Sequence, residues 1–340
     1  MNHLRAISLI VLMLCGWMLL PSTARAQTTC TATMTDLQFG AVDATGYATA
    51  NGTLAWQCNT SEFIAASPAR IKLCFSIGAG SASGSTVASR LMRSSPGNDA
   101  MAFQITKDAA FTAPWTDSIT PPSSAEISTS YPLTSIFGLF ATGSGSGTMA
   151  VHGRVPAQIL AAGTNYLNQF SGANARIVYR YNYGSTAPGS CSSGAGFQGS
   201  PYDVTFAARA SVPGLCEISA ASDLDFGSNP GIIAANRDYT SAISMKCRSR
   251  TPWNVGLNNG QNAVGDTRRM RRGATSNYVN YELYRDSGRG ARWGNTIDSE
   301  TANGTGTGST QAVTVFGRVP APQSALPGSY SDLITVTVTY

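Results

Sequence analysis

Histidine is nearly absent from this 340-residue chain: there are two, and only His152 lies beyond the N-terminal export-type segment. One imidazole with no orienting partner or nucleophile in view argues against a histidine-based active site, and reads as a strand-face residue. No C-x-x-C pair occurs, so the cysteines offer no metal knuckle. Charge is scarce as well, at 12% of residues, with 23 basic and 18 acidic side chains. Removing Arg5 and Arg25 with the leader takes 23 to 21 against 18, a net of +3. That excess is too mild to mark nucleic acid or an anionic membrane as partner. Asp266, Asp286 and Asp298 are scattered among arginines without the pairing that carboxylate-based hydrolysis needs. Helical periodicity is hard to find. The longest apolar run, Leu9–Leu20, falls short of the roughly 20 residues of a membrane span. The expectation is a non-enzymatic protein with no metal and no cofactor.

That apolar run belongs instead to a signal peptide over residues 1–26. Arg5 supplies the positive start and Ala24-Arg25-Ala26 the small-x-small cleavage site. The protein is therefore expected to be exported. Loss of Cys15 with the signal leaves six of the seven cysteines, an even number in a disulfide-permitting compartment.

Gly-Arg-Val-Pro-Ala occurs twice, at 153–157 and 317–321, and other landmarks repeat around it in the same order. A cysteine precedes a Leu-x-Phe-Gly turn (Cys30 to Gly40; Cys216 to Gly227), and a second cysteine follows (Cys58; Cys247). An Arg/Met element (Leu91-Met92-Arg93; Arg269-Met270-Arg271) and a tryptophan (Trp115; Trp293) come next. One fold is used twice, over 27–211 and 212–340. If Cys216 closes with Cys247, the repeat pairs Cys30 with Cys58 and leaves Cys74 with Cys191. Four cysteines in the first copy permit three connectivities, so this pairing stays open on sequence.

Alternation of apolar with small or polar residues dominates both copies, as in Ile71-Leu73-Phe75-Ile77 and Ile334-Val336-Val338-Tyr340. Strands with one buried face, separated by Gly/Ser/Pro/Asn turns, predict an all-β protein of two tandem Ig-like antiparallel sandwiches. The copies end differently. After the repeated element, the first runs through a strand at 175–182 and adds another at 201–210. The second runs through the matching strand, 333–340, and lacks the last one. Its expected open edge carries Ile334, Val336, Val338 and Tyr340. Such an edge suits completion by another chain's strand. Only Gln27-Thr28-Thr29 precede Cys30 after cleavage, so the chain is expected to accept a strand and to have none to donate.

These residues resemble the spore coat protein U (SCPU) domain family, found in archaic chaperone–usher pilins. Arg269-Met270, Tyr281-Glu282-Leu283-Tyr284-Arg285-Asp286, Trp293-Gly294-Asn295 and the terminal run Tyr330–Tyr340 match its pattern. The first copy is more diverged. The two-domain arrangement is similar to that of Csu-type pilus tip adhesins. The resemblance implies attachment to an abiotic or host surface and biofilm formation. Its implied partners are a periplasmic chaperone, an outer-membrane usher and an adjacent subunit donating a strand, with transit through the periplasm to the cell surface. Alternatives are a structural subunit capping a pilus or coat, and a secreted carbohydrate-binding sandwich in which Trp56 and Trp115 stack on sugars.

Subtracting the second copy from the first locates what the first has added. Twelve residues separate Cys58 from Ile71, but five separate Cys247 from Trp253. Trp115 to Arg154 spans 39 positions, against 25 from Trp293 to Arg318. The additions carry Phe63 and Ile64 in an otherwise polar turn, then Ile136, Phe137, Leu139 and Phe140, and a glycine-rich loop with Phe197. These are the expected surface-binding residues, with Phe63, Ile64 and Phe197 placed at the pole away from the second domain. The run 136–140 reads equally as a buried strand. Tyr166, Leu167 and Phe170 are expected to pack between the domains. Gly194–Gly199 fits G-x-G-x-x-G literally, but leads into a strand rather than a helix, so it reads as a loop.

Overall fold

The computed structural model describes residues 27–43, 48–63, 66–119, 124–228 and 231–340. Ile64 and the signal segment lie outside them. Strands dominate throughout, as the alternation requires.

The first half begins with β1 (Gln27–Met34), β2 (Leu37–Ala41), β3 (Ala48–Phe63), β4 (Ala69–Ile77), β5 (Arg90–Ser94), β6 (Ala100–Thr106) and β7 (Ala125–Tyr131). It continues with β8 (Thr134–Ile136), β9 (Phe140–Val155), β10 (Gly163–Phe170), β11 (Ala175–Tyr183), β12 (Phe197–Gln198), β13 (Tyr202–Asp203) and β14 (Phe206–Val212). One sheet runs β1-β3-β9-β6-β5-β10-β14-β2, with β8 added beside β9. The facing sheet runs β7-β4-β11, with β12 and β13 on the far side of β11. Cross-strand partners alternate inward together: Ile177 lies opposite Phe75, Tyr179 opposite Leu73 and Tyr181 opposite Ile71, and all six are buried.

The second half repeats this plan with fewer strands. They are β15 (Cys216–Ala221), β16 (Ile232–Ile233), β17 (Arg237–Cys247), β18 (Pro252–Leu257), β19 (Arg268–Arg272) and β20 (Tyr278–Tyr284). The remainder are β21 (Ala302–Thr305), β22 (Thr310–Val319), β23 (Gln323–Ser324), β24 (Tyr330–Ser331) and β25 (Val336–Thr339). The sheets run β15-β17-β22-β20-β19-β24 and β21-β18-β25, with β16 paired to β23. Each half has its own apolar cluster.

Two anchors recur in the cores. Trp115 Nε1 donates to the Phe75 carbonyl at 2.7 Å, and Trp293 Nε1 to that of Val255 at 2.8 Å. Beside each tryptophan lies a buried arginine. Arg90 donates to the carbonyls of Ile77, Gly78 and Trp115 and to Gln104 Oε1, at 2.6–2.9 Å. Arg268 repeats this on Leu257, Asn258 and Trp293, with Glu282 in place of the glutamine. Burial pushes both guanidinium pKa values down, that of Arg90 to about 10, with Asp117 acting in the opposite sense. In sequence the run Arg268, Arg269, Arg271 and Arg272 reads as a solvated edge or as structural salt bridges; Arg268 is of the second kind, a buried strut paired with Glu282.

Three disulfides form: Cys30–Cys58, Cys74–Cys191 and Cys216–Cys247. The first and third join directly opposed residues of neighbouring strands, and the second ties the glycine-rich loop to β4. The strand expected at 201–210 is displaced. It is split into β13 and β14 because the chain crosses from the sheet of β11 to that of β10 near Val204. Tyr166 and Phe170 belong to the first core rather than to a domain interface, Phe170 stacking on Phe206 at 4.5 Å. Contact between the halves comes instead from the loop after β17. Arg250 pairs with Asp99, and Ser249 O accepts from Ala162 N at 2.8 Å.

Candidate functional site

β3 and β9 are 16 residues each and pair along their whole length, from Ala48–Val155 to Phe63–Phe140. At about 3.3 Å per residue this ribbon is about 50 Å long. The Val155 end leads toward Ala162 and the second half, so the Phe63 end is distal. Phe63 is therefore the last residue of a strand rather than part of a turn. Its ring meets that of Phe140 edge-on at 5.4 Å. β8 folds back on β9 through Phe137-Gly138-Leu139. Phe137 and Gly138 both have positive φ, 54° and 68°, and that region is costly for a bulky residue. The Phe137 ring is nevertheless 94% exposed, and Phe63, Leu139 and Phe140 are each about half exposed. The structure thus brings these four residues to one hairpin tip, and residues 137–140 are exposed rather than a buried strand. Phe197 is exposed too, but sits beside Tyr181 and Tyr183 at 5.5 and 6.3 Å. It forms a separate aromatic group.

The second feature is a groove of about 520 Å³ in the second half. Leu224, Phe226, Met270, Tyr281, Tyr330 and Ile334 are among its lining residues. The Gly-Arg-Val-Pro-Ala elements align Tyr166 with Tyr330 and Phe170 with Ile334. The tryptophan acceptors Phe75 and Val255 align Ala175, Ile177 and Tyr179 with Val336, Val338 and Tyr340. In the first half β14 lies between β10 and β2, antiparallel to the former and parallel to the latter. Among the described residues no strand takes that place in the second half, where β24 and β25 are both sheet edges. Burial follows suit. Leu37, Met92, Tyr166, Phe170 and Ile177 are fully buried, whereas their counterparts Leu224, Met270, Tyr330, Ile334 and Val338 are only partly so. Tyr179 is 1% exposed and Tyr340 56%. Of the four expected edge residues, Ile334 and Val336 line the groove, and Val338 and Tyr340 continue along the same edge beyond it. Sequence reasoning missed Leu224 and Phe226 on the far wall; their match to Leu37 and Phe39 in the repeated Leu-x-Phe-Gly turn could have found them.

Other candidates resolve structurally. His152 Nδ1 meets Asn51 Oδ1 at 2.8 Å across β3 and β9. Cys74, Glu126 and Cys191 lie together, but the two sulfurs are joined and Glu126 pairs with Lys72 at 2.7 Å. Trp115 is fully buried and unavailable to stack on a sugar. Gly194–Gly199 contains the short strand β12 and is followed by β13, not by a helix.

The Spore Coat Protein U domain model matches residues 17–171 and again 202–337. The chain belongs to the spore coat protein U family. Among SCPU relatives, Protein U of Myxococcus xanthus is 32% identical over 145 residues, covering 38% of this chain and 80% of that protein. Two solved structures are similar to this SCPU chain at low identity. One is the CsuC–CsuE chaperone–tip adhesion subunit pre-assembly complex from archaic chaperone–usher Csu pili of Acinetobacter baumannii. It is 15% identical, covering 92% of this chain and 100% of that one, with a TM-score of 0.43. The other is the CupB6 tip adhesin of Pseudomonas aeruginosa, 10% identical, covering 91% and 94%, with a TM-score of 0.33. No helix among the described residues is long and apolar enough to cross a membrane.

Proposed function

We propose that this SCPU protein is an exported pilus-tip adhesin. Its second domain, residues 212–340, joins the pilus by taking a strand from another subunit. Its first, residues 27–211, meets an apolar surface through Phe63, Phe137, Leu139 and Phe140, with Ile64 and Ile136 beside them in sequence and Phe197 on a neighbouring aromatic patch. The groove carries this reading. The second copy has the walls that enclose β14 in the first, lined by apolar side chains that would gain burial from a strand laid between them. A periplasmic chaperone would shield the groove before assembly, and an usher would oversee the exchange. No nucleic acid or cofactor has a part in this scheme.

The test is calorimetry of the mature chain alone and with its neighbouring subunit. Alone, the first domain melts cooperatively and the second gives a weak, low-temperature transition; the subunit's strand raises the second transition selectively. A monomer whose second half melts sharply at high temperature with nothing added overturns the proposal.

A further inference from the structure

We infer that the groove selects its strand by the order of side-chain sizes, and that β14 spells this order out. The inference rests on the proposed strand-accepting role and adds what the strand must carry.

In the first domain β14 is held in place by its own chain, so it shows the occupant of an equivalent groove. Phe206, Ala208, Ala210 and Val212 all belong to the first core. Opposite them across the ladder lie Phe170, Asn168, Tyr166 and Gly163 in that order. Phe206 is the large member, stacked flat on Phe170, which in turn meets Phe103 edge-on at 6.4 Å. Ala208 faces Asn168 on one side and Leu37 on the other, with no exposed surface. Ala210 faces the fully buried Tyr166. The order is thus large, small, small, branched.

The second groove keeps the determinants of that order. Tyr330 stands where Tyr166 does, Leu224 where Leu37 does, and Asp332 where Asn168 does. Asp332 is fixed from several sides: it accepts from Tyr281 Oη at 2.8 Å, from Gln261 N at 3.0 Å and from Asn262 N and Nδ2. A wall residue so restrained has little freedom to yield to a bulky neighbour, so the position facing it must stay small. Ile334 replaces Phe170, which leaves more space at the end where Phe206 sits. That end takes an aromatic or long apolar side chain. By the same template, the strand runs antiparallel to Tyr330–Ile334 and parallel to Leu224–Phe226.

The experiment titrates the full mature chain with an eleven-residue peptide copying Asp203–Pro213, and with the same peptide carrying Phe206→Ala together with Ala210→Phe. The two peptides share length, composition and alternation. Hydrogen exchange of Tyr330–Ile334 locates the bound strand, and a peptide carrying Ala208→Trp probes the centre. The expected result is protection of Tyr330–Ile334 by the copied peptide and about tenfold or greater weakening of binding by either altered peptide. Equal or tighter binding of the exchanged or Trp-bearing peptide overturns the size rule while leaving the groove a strand acceptor. Failure of every peptide, and of the neighbouring subunit's strand, overturns the acceptor role together with the rule.

Discussion

Replacing Phe137 by asparagine should separate what the tip does from what it contributes to stability. Phe137 holds a left-handed backbone conformation with φ of 54°, which costs on the order of 1 kcal/mol for a bulky residue and is readily adopted by asparagine. Its ring is 94% exposed, so the first core loses nothing. The variant should melt at the same temperature as the parent, or slightly higher. Attachment should move the other way. A phenylalanine side chain carries roughly 200 Å², and a flat surface covers about half of an exposed one, or about 100 Å². At about 25 cal/mol per Å² this amounts to about 2.5 kcal/mol, close to a 70-fold change in affinity for each tip. The assay is adsorption of the chain, with the proposed donor strand supplied, to methyl-terminated and hydroxyl-terminated monolayers, alongside calorimetry. Unchanged adsorption to the methyl surface, or a first domain clearly less stable than the parent's, refutes the reasoning.

Further outcomes follow from the cores, the cross-links and the surface charges. Arg90→Met leaves the carbonyls of Ile77, Gly78 and Trp115 without their donor; it should cost about 3–5 kcal/mol in denaturant unfolding of the first domain. Removing the Cys74–Cys191 bond, whose ends are 117 residues apart, should cost up to about 5 kcal/mol. Loss of Cys30–Cys58, with a separation of 28, should cost up to about 3.6 kcal/mol on the same entropic scale, the two being compared by calorimetry. Asp238 has its pKa lowered below 3.8, first by its hydrogen bonds from Arg318 at 2.7 and 2.8 Å. Its contribution is fully present above pH 3.8 and is lost as pH falls through the lower folded value, so Asp238→Asn should flatten the stability profile there.

Much of this architecture was legible because alternation and repetition are one-dimensional signals. Ile71, Leu73, Phe75 and Ile77 name a buried strand face without outside help, and the doubled landmarks pair the cysteines correctly. The burial of the two core arginines was not legible, since Arg268 sits among four arginines whose run reads as a solvated edge or as structural salt bridges alike. The carbonyls of Leu257, Asn258 and Trp293, together with the Glu282 carboxylate, make its burial tolerable. Tyr166 was misplaced for a related reason: whether an aromatic faces the core or a neighbouring domain depends on which strand covers it, and β14 comes from some forty residues downstream. Phe63 looked like part of a turn because nothing local records that β3 and β9 stay paired to their ends. The strained backbone at Phe137 was hidden too, since glycine or asparagine is the usual residue for such a turn.

β14 is carried on the same polypeptide as the sheet it completes, and this sets a timetable. Its local concentration is fixed by the tether and does not fall on dilution. The distal half can thus mature as a unimolecular event, at a rate indifferent to how much of any companion has been secreted. For the proximal half, the proposed completion by a separate molecule would make maturation second order, governed by supply. A cell that curtailed that supply would accumulate finished heads on unfinished bases.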